Sequence, residues 1–140
     1  MAEAGANPDL VELARRSWEA GNRRDIEAIM ALYTKETVWD LSDAGMGIFD
    51  GAEAVRAFIE EWWGAFEEHY AEVQEILDLG HGVVFARVRE VGRPLGSNGE
   101  VEQLRGWVLL GERGRLTHVT PYLDTDEARA AAERVAQERG

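Results

Sequence analysis

Asp40 is the residue best suited to chemistry in this sequence, because it interrupts the apolar run Thr37-Val38-Trp39-Asp40-Leu41. A carboxylate within such a run is costly to bury unless it is hydrogen-bonded, paired, or kept as a proton carrier. Two readings of it stand. As a general acid/base it would move a proton in an apolar pocket; as a turn residue it would accept a hydrogen bond from the backbone near Ser42 or Asp43. Around it, Trp18, Tyr33, Phe58, Trp62 and Phe66 fall on the apolar stripes of helical segments. Such stripes are either plain core or the wall of a ligand cavity, and a cone-shaped fold lets the same side chains do both.

The remaining reactive residue types are sparse. The chain has three histidines and no cysteine, which removes disulfides, thiolate catalysis and zinc-thiolate sites. His69 and His81 lie at strand edges, without ligand spacing to any Asp or Glu cluster, so neither a metal nor another cofactor is expected. Arg87 and Arg89 alternate with Val84, Ala86 and Val88. Pairing with an acid-rich surface and a place in the pocket are both open to them.

These residues need one sizeable domain to hold them. At 140 residues, with 45% apolar and 30% charged side chains, the chain suits a single globular unit burying roughly two-thirds of its unfolded-chain surface. Fifteen basic against 27 acidic residues give a net charge of −12. A field of that sign repels phosphate backbones and anionic lipid, so nucleic acid and membrane are not expected as partners. Glu3, Asn7, Pro8, Asp9 and Glu12 break up any secretory core in residues 1–20, and no later window approaches a membrane span, so a cytoplasmic location is expected.

The local patterning predicts a loose tail over 1–6, a domain over 7–124 and a C-terminal helix in 125–140. Asn7-Pro8-Asp9 opens a first helix running to about Gly21, with Leu10, Leu13, Ala14, Ser17 and Trp18 on one side. Asp25 caps a second, whose stripe is Ile26, Ile29, Met30 and Tyr33. A strand over 37–41 and a loop over 42–50 lead to a helix opened by Asp50-Gly51, with Val55, Phe58, Ile59, Trp62 and Phe66 on its buried side. Strand-like runs follow at about 71–79, 82–91, 100–111 and 115–123, joined by tight turns that imply antiparallel neighbours. Asp124 and Glu127 then stand at capping-box spacing before the last helix. On the last strand His118, Thr120 and Tyr122 share one face, and Val119, Pro121 and Leu123 share the other.

Helices followed by a mainly antiparallel sheet define an α+β domain. The order of elements resembles the SnoaL-like branch of the nuclear transport factor 2-like superfamily. So do the strings Asp25-Ile26-Glu27-Ala28-Ile29-Met30-Ala31-Leu32-Tyr33, Thr37-Val38-Trp39-Asp40 and Phe49-Asp50-Gly51-Ala52-Glu53-Ala54-Val55-Arg56-Ala57-Phe58. The ending from Gly114-Arg115-Leu116 to Pro121-Tyr122-Leu123-Asp124 is also similar, so the resemblance spans about residues 10–124. It implies a cone-shaped α+β barrel in which three N-terminal helices pack on a curved sheet.

The resemblance also implies roles for residues. Asp40 falls where the similar ketosteroid isomerases carry a general base. Ser17 and Gly106 stand where those enzymes have their oxyanion-binding tyrosine and protonated aspartate, so both electrophilic helpers are missing. The epoxide-hydrolase branch needs two carboxylates bridged by an arginine, and Arg87-Val88-Arg89 brings no matching strand aspartate. SnoaL-type polyketide cyclases work with essentially one acid, a pattern this chain satisfies. By comparison with the family, Leu104, Gly106, Val108, Val119, Pro121 and Leu123 face inward. Gln103, Arg105, Trp107, His118 and Tyr122 lie on the outer face, through which relatives form homodimers. The expected pocket is therefore Trp18, Tyr33, Phe58, Trp62, Phe66, Val108, Val119 and Leu123 around Asp40. It suits a cyclase- or isomerase-type enzyme acting on a small hydrophobic carbonyl compound. The alternatives are a non-catalytic binder of small hydrophobic ligands and a dimerisation module.

Overall fold

The computed structural model describes residues 9–140. The expected tail over 1–6 and the Asn7-Pro8 start signal lie outside the described residues. Helix α1 (Leu10–Asn22) starts on Asp9, whose carboxylate accepts from the Val11 N–H at 2.9 Å. Asp25 caps the short α2 (Ile26–Met30) in the same way through Ala28. Each such cap satisfies an amide that the first helical turn leaves without a partner, and is worth about 1 kcal/mol.

Strand β1 (Tyr33–Leu41) is longer than the predicted 37–41, because Thr37 holds its N-terminal half. The buried Thr37 hydroxyl accepts from the Thr34 N–H at 2.8 Å and donates to the Leu116 carbonyl at 2.8 Å. A 3-10 turn, Ser42–Ala44, leads to β2 (Gly47–Asp50), where the sequence predicted only a loop. Gly45 and Gly47, at φ 76° and 83°, supply the left-handed backbone that reverses the chain onto β1. Helix α3 (Ala52–Gly64) and the strands β3 (Phe66–Gly80), β4 (Val83–Pro94), β5 (Val101–Glu112) and β6 (Arg115–Tyr122) follow, and α4 (Thr125–Arg139) ends the chain.

The six strands form one sheet in the order β2-β1-β6-β5-β4-β3. All neighbours are antiparallel except β1 and β6, which run parallel. Register shifts within β3 bend that long edge strand, as bulges do. The product is the α+β cone expected from the sequence, with helices α1 to α3 over the concave inner face. Asn22, at the end of α1, donates to the Ala71 carbonyl at 2.9 Å and accepts from the Ala71 N–H at 2.8 Å. Its amide thus pairs with β3 as a strand residue would and ties α1 to the sheet.

Helix α4 covers part of the opposite face, where Ala128, Ala131, Ala132 and Ala136 pack on Val83, Phe85 and Val108. Beyond α4 that outer face carries ion pairs: Arg87 with Glu75 at 3.1 Å, and Arg89 with Glu102 at 2.7 Å and Glu72 at 3.7 Å. Both arginines therefore belong to the surface rather than to the interior. No helix among the described residues is long and apolar enough to cross a membrane.

Candidate functional site

Strand alternation decides which side chains reach the interior. On β4 the inward set is Val84, Ala86, Val88 and Glu90. Across the β4–β5 ladder Val88 pairs with Arg105, Ala86 with Trp107 and Val84 with Leu109. Across β5–β6, Trp107 pairs with Pro121 and Leu109 with Val119. Of these, Glu90, Arg105, Trp107, Leu109, Val119 and Pro121 line a partly open cavity of about 120 Å³, together with side chains of helices α1 to α3 and of β1. That is close to the ~150 Å³ apolar cavity known to take up benzene, and below the ~300–1,000 Å³ of sites for drug-sized ligands.

Aromatic rings make most of its wall. Trp107 meets Trp18 edge to face at 5.9 Å and Trp39 at 6.0 Å, and Trp39 lies 6.0 Å from Phe58. Trp62 and Trp63 join them from α3, and the partly exposed Met46 lies at the mouth.

Polar groups enter this apolar space at two places. Trp107 donates its indole N–H to Glu90 Oε2 at 2.9 Å. Arg105 Nε lies 3.6 Å from Glu90 Oε1, and His69 Nε2 lies 3.9 Å from the same oxygen. Glu90 and Arg105 side chains are each only 11% exposed. Burial pushes the Glu90 carboxyl above its ordinary range, although Arg105 and the Trp107 hydrogen bond pull it down. His69 moves the other way: burial first, then the nearby Arg24 and Arg105 charges, disfavour its protonated form. Arg105 also donates to Gln103. Its Nε is the single buried side-chain nitrogen or oxygen among the described residues without a hydrogen-bond partner.

The second polar place is Tyr33. Its hydroxyl accepts from the Trp39 indole N–H at 3.1 Å. Tyr33 is 7% exposed, and burial raises its pKa so that the phenol stays protonated. Two indoles in edge-to-face contact thus each hold one polar group: Trp39 the Tyr33 hydroxyl, and Trp107 the Glu90 carboxylate.

The residues singled out from the sequence divide. Trp18, Tyr33, Phe58, Trp62 and Val119 line the cavity, as does Pro121. Asp40 does not: its neighbours Trp39 and Leu41 point inward, so the alternation of β1 turns Asp40 outward. Its carboxylate accepts from the Ser42 N–H at 3.0 Å, which is the turn-residue reading. Phe66 packs outside the cavity, on Trp62 at 5.1 Å and His69 at 5.2 Å. Leu123 lies past the end of β6 and is exposed.

On β5 the predicted parity is inverted. Trp107 and Arg105 face the cavity, whereas Val108 and Gly106 face α4, where a Cβ on Gly106 would overlap Ala128. Leu104 goes with them to the outer face, in register with Arg89. The reason is pairing: β6 sets Val119 opposite Leu109, so Val108 cannot share its side. Glu90, His69 and Arg105 were not recognised as a site from the sequence. The signal for Glu90 was present, since the apolar series Val84, Ala86, Val88 reaches it two residues further on.

The architecture is that of a cone-shaped α+β fold with a pocket between sheet and helices. The pattern of the SnoaL-like domain matches residues 14–117, and the chain belongs to that family. No functionally curated protein matches it significantly. Among solved structures it is similar to an NTF2-like protein of unknown function from Burkholderia pseudomallei, with 21% identity, a TM-score of 0.72, and 88% of this chain and 96% of that one covered. A putative polyketide cyclase from Xanthomonas campestris pv. campestris is 22% identical, with a TM-score of 0.67 and coverage of 86% and 94%. An "LEH-like epoxide hydrolase" from M. tuberculosis is 14% identical, with a TM-score of 0.71 and coverage of 92% and 94%. At these identities the likeness is one of fold.

Proposed function

We propose that this SnoaL-like protein is an acid–base enzyme for a small, single-ring carbonyl compound, and that Glu90 carries the proton. The observation that supports this most is the Glu90 carboxylate, the one acid on the cavity wall. Its raised pKa brings it toward the range where a carboxylate exchanges protons near neutrality. In the proposed step Glu90 removes a hydrogen from the carbon beside the carbonyl, and the released electron pair moves onto the oxygen as an enolate. The Glu90 carboxylic acid then returns the proton. Neutral His69 lies 3.9 Å from Glu90 Oε1, and Arg105 offsets the charge of the ionised carboxylate. The role first expected of Asp40 passes to Glu90, and the cyclase or isomerase chemistry is kept on a smaller ligand than a fused polyketide.

The test is substrate-independent. Incubated with cyclohexanone in heavy water, the protein is expected to speed hydrogen–deuterium exchange beside the carbonyl, followed by proton NMR. Glu90→Gln should abolish the exchange. Binding without exchange in the wild type would leave the second reading, a non-catalytic binder, which the mainly apolar wall favours. A homodimer through the outer face is also proposed, on the exposed Tyr70 and Leu104, 53% and 46% accessible beyond the end of α4. Light scattering that gives a monomer at micromolar concentration would reject it.

A further inference from the structure

We infer that Tyr33 is the group that recognises the ligand's oxygen, and hence that the cavity selects ring compounds bearing a hydrogen-bond acceptor over isosteric hydrocarbons. This rests on the reading of the cavity as a small-molecule site, and extends it to a specificity residue and a ligand class. The Tyr33 oxygen already accepts the Trp39 N–H at 3.1 Å, while among the described residues no group accepts the Tyr33 proton. A buried hydroxyl without an acceptor forfeits a hydrogen bond, and the deficit is made good when a ligand oxygen arrives. The Trp39 bond helps, because a phenol that accepts one hydrogen bond donates a stronger one.

Several of the neighbouring donors are already committed. Trp39 and Trp107 have both committed their ring N–H groups, to Tyr33 and to Glu90. The Ser17 hydroxyl donates to the Ala14 carbonyl at 2.7 Å, and the Asn22 amide is spent on Ala71. The Trp39 and Trp107 ring centres lie 6.0 Å apart, so the phenol and the carboxylate are held by neighbouring indoles of one cavity wall. An acceptor oxygen at Tyr33 therefore orients the ring, and exchange requires that the carbon beside the carbonyl, not the far edge, meets Glu90.

The test compares two near-isosteres, cyclohexanone and methylenecyclohexane, by calorimetric titration. The wild type is expected to bind the ketone about fivefold more tightly, as for one net hydrogen bond. The infrared C=O stretch of the bound ketone should fall below its value in hexane. Tyr33→Phe should bring the affinity ratio close to one and return the stretch to the hexane value. Glu90→Gln should keep both signatures, even where it abolishes exchange. A ratio near one in the wild type, or a ratio and stretch unaltered by Tyr33→Phe, overturns the assignment while the cavity reading survives. If neither probe binds the wild type, the cavity reading itself falls and the assignment falls with it. Should Tyr33→Phe not fold, the wild-type stretch decides alone: a shift to lower frequency supports the donor, and its absence overturns it.

Discussion

The two faces of the sheet solve the same packing problem in opposite ways. On the outer face α4 presents alanines, and Gly106 lets it approach until its Ala128 leaves no room for a Cβ. On the inner face large indoles hold the helices off the strands, and a cavity remains. Small side chains permit contact and close the gap, while bulky rigid ones touch one another before the space is filled. The contrast teaches where a cavity can form: β5 supplies Gly106 and Val108 to the closed side and Arg105 and Trp107 to the open one, so one strand closes one face and lines a hollow on the other.

The sharpest way to break this contrast is Gly106→Ala. It forces α4 away from β4 and β5 and should cost about 2 kcal/mol in urea unfolding, with cyclohexanone binding retained in the protein that folds. Next comes the pH dependence of Glu90. Its folded-state pKa lies above the ordinary 4.5, so the stability due to its protonated form is full below 4.5 and is lost as pH rises through the folded value. Relative to the wild type, Glu90→Gln should therefore gain melting temperature as pH rises through that window, by ~4 °C for each kcal/mol. The lowered His69 pKa acts in the other direction, losing stability as pH falls below 6.5, so His69→Gln should show its relative gain on the acid side.

A smaller effect belongs to Trp107→Phe, which keeps a ring in the wall but takes the N–H from Glu90. It should cost about 1 kcal/mol and move the pH profile of exchange further upward, because the ionised carboxylate loses a donor. Smallest is Asp40→Ala, which removes one turn hydrogen bond at the surface. About 0.5 kcal/mol in unfolding and unchanged deuterium exchange are expected; lost exchange would return the acid role to Asp40.

Much of the architecture was legible because it is written in local signals. The caps Asp25 and Asp124 and the stripe of α3 each fix an element within a few residues. The site was less legible, because it depends on which way alternating strands face. β5 carries Leu104, Trp107, Val108, Leu109 and Leu110, apolar on both sides since both faces of the sheet are covered, so its pattern does not say which set is inner. Only pairing with Val119 and Pro121 decides it. Asp40 misled for the same reason. Its environment in sequence is apolar, yet one step along a strand exchanges pocket for solvent.

The parallel contact between β1 and β6 has a consequence for biosynthesis. Leu116 gives its N–H to the Leu32 carbonyl at 2.8 Å, and Thr37 reaches Leu116, 79 residues further along the chain. A nascent chain that has made only α1 to α3 and the β1–β2 hairpin has nothing to lay against the other edge of β1, so the hollow takes shape late, after the ribosome has delivered the sixth strand. The cavity is therefore either complete or absent, and a prematurely stopped translation product would leave its tryptophans without shelter.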